Sequence, residues 1–576
     1  MPDDEVVRGA GAPSPARSRG RHAAPEEDAA PEVGATTRTP VGTAPGDPAL
    51  GDVARGADLI DPTLIAPTSA EPGPDGDAPA VGSRRGAFTG GIWSAASTVA
   101  PMAGTLALSV VISRRLGADV LGEQSLVAYV SSLMVSVLIY SFTSASVQLL
   151  AAAGGAGDDA RLAWLARWSY AAHLVGAALA AGVMVAAGIA RPDYRTLWFL
   201  AAVTAVVDSV GWAHACRDIA QRGWAPTSSR RLVAQAVSPV AAIVALLAGA
   251  GIEGVFIAQL CVSVLLLVSL RRIDRRTRRP SPRDHAAPPW RPVLRLWSLF
   301  ALSGLITQVV ERRLELVFLD HYDSARTVAM YSVAFSLVAI PITLSGSLIH
   351  AAMPAIASRH AQDPTVVARA LSRAARVVVT IDLVLAAGTV AVGPALVTAV
   401  YGSDFGQAAS LVRWLGLVLL LVPLGQLCSA LWSGTGRLRP VLVAGGVGAV
   451  VDIGLALVLI PRLSAAGAVV TTISAQTVAA VIMIGYTLRN GFRFDLRPRR
   501  LATAVAVVAV AGAGAGAVAA LVAGLLGAVL AAVAYLALVA LGARLVGLFT
   551  PEDVDWLAGT VPGPAAAVLR RFSPAR

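Results

Sequence analysis

The 576-residue sequence predicts an all-α integral membrane fold of about 14 transmembrane helices, built as two parallel six-helix halves with an appended C-terminal helix pair. Three observations predict it: apolar runs long enough to cross a bilayer, basic side chains that are all arginine and crowd alternate gaps, and an internal repeat at an offset of 207 residues. Each run approaches or exceeds the ~20 residues that span a ~30 Å hydrocarbon core. The spans fall near 90–112, 125–150, 168–190, 196–215, 231–250, 252–270, 296–319, 328–350, 377–400, 409–432, 440–460, 465–487, 501–523 and 525–547. Gaps after even-numbered spans are rich in arginine, and those after odd-numbered spans are mostly short and poor in charge. The chain is therefore expected in the inner (plasma) membrane as a multi-pass protein with both termini cytoplasmic. Of its 47 basic residues, 32 lie at the expected cytoplasmic ends and seven on the outer side, so the net charge of +11 reports topology and no nucleic-acid partner is expected.

The elements follow in order. Residues 1–85 are rich in Ala, Pro, Gly, Asp and Arg with almost no aromatics, and are expected to form a disordered cytoplasmic tail. No signal peptide is expected, because the first apolar run begins only near Phe88. Residues 86–292 make the first half and 293–490 the second. RRLGADVLGEQSLVAY (114–129), after span 1, is echoed by YDSARTVAMYSVAFS (322–336), after span 7. The alignment pairs Gly122 with Ala329, Gln124 with Tyr331 and Ser125 with Ser332. A second echo joins AGIEGVFIAQ (250–259) to LSAAGAVVTT (463–472), with Gly254 against Gly467 at an offset of 213. Both units are entered from the same side, and transporters built from such halves usually hold substrate between them near mid-membrane. Residues 491–547 supply two extra helices, in which AGAGAGA (511–517) reads as close helix packing. Residues 548–576 are expected to be a cytoplasmic C-terminal tail.

Composition narrows the chemistry. Only 14% of residues are charged, which leaves no room for a soluble catalytic domain of ordinary makeup. The cysteines Cys216, Cys261 and Cys428 are isolated in or beside apolar runs, which argues against disulfides or a zinc site. Without lysine there is no Walker A or Schiff-base residue. No enzyme activity, catalytic residue, metal or organic cofactor is expected.

Several short motifs resemble one family. Leu116, Gly117 and Gly122 match an LG-x(4)-G pattern after span 1; TVAMYSVA after span 7 is similar to V-G-x-Y, with Ala329 in place of the glycine. YGSDF (401–405), SGTGRLRP (433–440), VDIGLALVLIP (451–461) and AAGAVVTT (465–472) follow in the family's order, with Asp452 and Ala456 where it often has asparagines. The family is the polysaccharide-type (O-antigen) lipid-linked oligosaccharide flippases, in the superfamily that also holds lipid II flippases and multidrug-and-toxin extruders. The resemblance covers roughly 88–490. It implies a flippase that moves a polyprenyl-diphosphate-linked glycan from the inner to the outer leaflet for cell-surface polysaccharide biosynthesis, with membrane lipids, a polysaccharide polymerase or glycosyltransferases as partners. The alternatives are a multidrug-type small-molecule exporter and a peptidoglycan lipid II flippase.

Ionisable groups inside spans are costly and mark functional positions by default. The outstanding group is Glu311-Arg312-Arg313-Leu314-Glu315, expected midway along a continuous span 7. On a helix 311 and 315 share a face while 312 and 313 turn away by about 100° and 200°, so a polar cavity is needed to shelter all four. Arg312 and Arg313 are the expected diphosphate-binding residues, because the guanidinium fork suits phosphate oxygens and stays charged when desolvated. Glu311, Glu315, Asp382, Asp452 and Asp208 are the expected sites of H⁺ or Na⁺ coupling. His173 and His214 read as packing partners. Gln148, Gln235, Gln259, Gln308, Gln426 and Gln476 are either sugar contacts or interhelical hydrogen-bonding groups.

Overall fold

The computed structural model describes residues 101–155, 159–223 and 225–277, scattered positions from 294 to 306, and then 313–360, 364–435, 437–548 and 553–554. All of them belong to one unit, Pro74–Arg576. The expected tail 1–85 lies outside the described residues, as does most of 548–576.

Among the described residues every regular element is helical, and the all-α membrane architecture is borne out. Helix α1 covers 101–116. Helix α2 runs from Ala118 to Gly155 with a π-helical stretch, Val135–Tyr140, at its centre. Next come α3 (Asp159–Ala190), α4 (Arg195–Arg222), α5 (Ala225–Leu247) and α6 (Gly251–Thr277). The second half holds α7 (Glu315–Tyr322), α8 (Ala325–His360) and α9 (Pro364–Tyr401). Helix α10 is built from Gly406–Leu415 and Val422–Gly434, joined by the 3₁₀ segment Gly416–Leu420.

The stretch Arg439–Arg489 is continuous by hydrogen bonding, but Ser464 has φ 53° and ψ −132°, and Pro461 lies just before it. Fifty-one helical residues would measure roughly 77 Å, far beyond one bilayer crossing, so these are two helices, α11 (439–463) and α12 (465–489). Helices α13 (Pro498–Leu521) and α14 (Gly524–Val546) close the chain.

Among the described residues, eleven helical stretches are long and apolar enough to cross a membrane. Dividing Arg439–Arg489 adds a twelfth; α1 starts at the edge of the described residues, and the span of α7 is described only in part. The one clear departure from the expected pattern is span 7. Arg313 and Leu314 form a turn, with Arg313 at φ 76°, and α7 begins at Glu315. The single helical face expected to carry 311 and 315 is therefore interrupted.

The outward faces are apolar, as contact with lipid requires. On α5, Val233, Val237, Val240, Val244 and Leu247 recur at helical spacing and are all exposed. Helices α13 and α14 dock on α9 through small residues: Ala511, Ala515 and Ala531 are fully buried, and the Tyr535 hydroxyl donates to the Val384 carbonyl at 2.6 Å.

The connection between α1 and α2 explains the first motif physically. Gly117 takes φ 90°, a conformation open to glycine at little cost, and reverses the chain in a single residue. One turn later α2 crosses the start of α8. A Cβ on Gly122 would stand 1.7 Å from the Ala325 carbonyl oxygen, so only glycine permits this crossing. We expect Gly122→Ala to destabilise the protein by about 1–3 kcal/mol, the usual range for overpacking, read as a lowered unfolding temperature in detergent. An unchanged transition would show that the two helices do not meet there.

Candidate functional site

The two halves meet at both ends of the bundle. The face bearing the α1–α2, α3–α4, α7–α8 and α9–α10 connections is here called the odd-loop face. There Arg114 donates to the carbonyls of Ala399 (3.0 Å) and Val400 (2.9 Å), satisfying oxygens in the last turn of α9. Ser109 and Tyr401 share a hydrogen bond of 2.6 Å. Arg191, between α3 and α4, donates to Glu123 of α2 at 2.9 Å and to Asp320 of α7, and the Trp198 indole donates to Glu123 at 2.9 Å. Burial works against the Arg191 charge, but the Asp320 and Glu123 carboxylates outweigh it and raise its pKa above the ordinary value.

At the opposite face the contact between halves has a different character. The Phe142 and Trp297 rings lie 5.2 Å apart, and Ser141 donates to the Phe300 carbonyl at 3.2 Å.

The Arg191–Asp320 pair ties the first half to the second. Replacing Arg191 with Ala, or Asp320 with Asn, is expected to increase several-fold the labelling of Ser125→Cys by a membrane-impermeant thiol reagent with access to the odd-loop face. The background for this test lacks Cys216, Cys261 and Cys428. Equal labelling with and without the pair would show that it does not hold the face closed.

Between these two closures lies a cavity of about 340 Å³, lined by α1 and α2 from one half and by Arg313 and α8 from the other. Its described polar lining consists of Thr105, Ser109, Gln124, Ser125, Tyr129, Ser132, Ser332, Ser336 and Thr343, with Arg313 as the charged member. Ser125 and Ser332, paired by the 207 offset in the sequence, both line the cavity. Arg313 donates to the Ser332 hydroxyl at 3.0 Å, and its guanidinium lies 5.1 Å from the Phe335 ring centroid. Ser332 is seven residues into α8, so the guanidinium sits about 10 Å below the odd-loop end of that helix. The positive φ of Arg313 is unfavourable for a residue with a Cβ, and such strain tends to gather where function requires a particular placement.

Behind Arg313 two carboxyl groups come together. Glu315 at the start of α7 and Asp452 in α11 are 2% and 1% exposed, and the two interact electrostatically. Thr472 of α12 donates to Glu315, and Tyr331 of α8 hydrogen-bonds Thr472 at 2.6 Å. Glu315 Oε2 and Asp452 Oδ2 find no other donor among the described residues, and the two carboxyls lie within hydrogen-bonding reach of each other, as a proton shared between them allows. Four helices thus converge on one buried acidic pair beside the cavity.

The other expected residues go elsewhere. Glu311, Arg312 and Gln308 lie outside the described residues. Asp382 of α9 accepts from Ser345 of α8. Asp208 of α4 interacts with Ser263 and Arg231 inside the first half. His173 bonds Thr143 at 3.0 Å and the Ser169 carbonyl at 2.6 Å, a packing role, and His214 lies against the Tyr170 ring. Gln426 and Gln476 line a separate cavity of about 130 Å³ within the second half. The glutamine that reaches the central cavity is Gln124, which figured in the sequence only as a repeat position. Tyr129, Thr472 and the Arg191 tether were not singled out at all. The tether joins residues 68 and 129 positions apart, and no local pattern marks it.

Residues 156–410 match the family model described as "Polysaccharide biosynthesis protein". Among solved structures, the chain is similar to the lipid II flippase MurJ in an inward closed conformation: 13% identity, TM-score 0.62, covering 79% of this chain and 99% of that one. It is also similar to an inward-facing multidrug resistance MATE family transporter of the MOP superfamily, with 18% identity, TM-score 0.55 and coverage of 69% and 98%. At such identities these likenesses show the fold. No curated protein matches the sequence. The family match and the fold agree with the resemblance drawn from the motifs, and the apolar helices make the chain a multi-pass membrane protein.

Proposed function

We propose that this chain is a membrane transporter that moves a polyprenyl-diphosphate-linked oligosaccharide from the inner to the outer leaflet, a reading supported by its match to a polysaccharide biosynthesis family and by its fold. The observation that carries this reading is the cavity between the halves, whose described lining combines one guanidinium with hydroxyls and an amide and includes no carboxylate. That chemistry suits a diphosphate bearing sugars. A cationic drug of the kind a multidrug exporter handles would meet the like charge of Arg313 there. The lipid tail stays in the bilayer while the head group crosses through the cavity. On the arginine pattern the odd-loop face is the outer one, and an inside-negative potential assists: each net negative charge moved outward gains ~2.3 kcal/mol per 100 mV.

In this reading Arg313 and Arg312 hold the diphosphate, and Glu315 with Asp452 takes up the coupling ion, H⁺ or Na⁺. Two facing carboxyls buried behind the phosphate site can change their net charge by binding one cation, which gives the ion a direct electrostatic hold on Arg313. Asp382 and Asp208, lodged in separate clusters, serve as comparison positions for the coupling experiment. The closures at the two faces open in turn, with the membrane lipids, a polymerase and glycosyltransferases as neighbours on either side.

Depletion of the protein in its own cell is expected to accumulate lipid-linked oligosaccharide on the inner leaflet. Unchanged leaflet distribution would contradict the reading. A lipid II head group shares the lipid–diphosphate–sugar chemistry, and accumulation of lipid II in place of the oligosaccharide would reassign the substrate.

A further inference from the structure

The cavity walls differ in a way the repeat makes measurable. The residue 207 positions before Arg313 is Leu106, and both line the cavity. The second half therefore offers a guanidinium where the first offers an aliphatic side chain. On the first half's side, α2 contributes Gln124, Ser125, Tyr129 and Ser132, all neutral hydrogen-bonding groups. Ser125 lies seven residues into α2, as Ser332, the partner of Arg313, does in α8, which sets this wall at about the depth of the guanidinium.

Tyr129 stands out within it. The residue is 7% exposed, and its hydroxyl has no hydrogen-bond partner among the described residues. A buried hydroxyl without a partner is costly, and in a residue that lines a polar cavity a small side-chain rotation brings it to whatever enters. The hydroxyl also lies within electrostatic range of Glu315, Asp452 and Arg313, which places it near the cationic site.

From this asymmetry we infer that Gln124, Ser125, Tyr129 and Ser132 of α2 bind the sugar esterified to the diphosphate, and so determine specificity for the first residue of the glycan. The inference rests on the transport reading above. In a glycosyl diphosphate the first sugar is bonded directly to a phosphate oxygen, so a phosphate held at Arg313 leaves the sugar's hydroxyl or N-acetyl groups against the neighbouring wall. Hydroxyl and amide side chains both donate and accept, as sugar recognition requires. A site built on hydrogen bonds also rejects analogues that leave its groups unpaired.

The test uses the purified full chain and four probes: farnesyl diphosphate, and the same lipid carrying a single glucose, galactose or N-acetylglucosamine. The wild type is expected to bind farnesyl diphosphate and to prefer at least one glycosylated probe. Tyr129→Phe and Gln124→Ala are expected to reduce that preference by about tenfold while leaving the affinity for farnesyl diphosphate unchanged. Arg313→Ala is expected to weaken all four. Tyr129→Phe removes only a hydroxyl, and an unchanged unfolding temperature keeps the comparison interpretable. A wild type that binds farnesyl diphosphate but prefers no sugar overturns the sugar wall alone. Retention of the full preference by both α2 variants does the same. A wild type that binds none of the probes overturns the transport reading and the sugar assignment with it.

Discussion

Arg313→Ala is expected to slow outward movement of the lipid-linked glycan by about 10- to 100-fold without loss of the protein from the membrane. The guanidinium is fixed by Ser332 at 3.0 Å and by the face of Phe335, and it is the charged group in the described lining of the cavity. Hydrogen bonds to charged groups contribute about 1.5–3 kcal/mol, which is the quoted range in rate if the bond forms during passage. Arg313→Lys keeps the charge but loses the planar fork, and is expected to fall between alanine and the wild type. Full export by the alanine variant would remove the diphosphate site from the cavity. Arg312→Ala is expected from the sequence to behave like Arg313→Ala.

The second large effect is expected at the acidic pair. Glu315→Gln and Asp452→Asn should each abolish the response of transport to an imposed H⁺ or Na⁺ gradient, a loss of about 5- to 150-fold if the coupling lies in the usual 1–3 kcal/mol range. Both carboxyls are buried and lie within hydrogen-bonding reach of each other, so the pair can hold a shared proton or exchange it for another cation. The amides keep the shape and remove the charge. Asp382→Asn and Asp208→Asn, in separate clusters, are expected to retain the response. If the gradient still drives transport in the Glu315 and Asp452 variants, coupling lies elsewhere.

How far the sequence leads depends on the range over which each feature is encoded. The spans are local properties of apolar runs, and α3 to α6 and α8 to α14 stand where those runs lie, extended by polar turns at their ends. The break at Ser464 was foreshadowed by Pro461 and by the separation of spans 11 and 12. Span 7 was misjudged, because nothing in the string Glu311 to Glu315 announces that Arg313 leaves helical geometry; that depends on Ser332 and Phe335 of another helix.

Intramembrane charge drew attention to Arg313, Glu315 and Asp452. It could not show that the last two meet, since their contact depends on how α7, α8, α11 and α12 converge. Charge was also a poor guide to the α2 wall. Gln124, Ser125, Tyr129 and Ser132 are neutral and resemble ordinary polar positions on a helix until the cavity gathers them.

The central claim is that a diphosphate-linked glycan crosses through the Arg313 cavity. Its most direct test is reconstitution of the purified protein in liposomes with a fluorescent polyprenyl-diphosphate oligosaccharide, following transfer between leaflets by the accessibility of the label to a membrane-impermeant quencher. The wild type is predicted to equilibrate the label between leaflets, and Arg313→Ala is predicted to leave it close to the rate of protein-free liposomes. Equal transfer by the two proteins, or none by the wild type, would contradict the account.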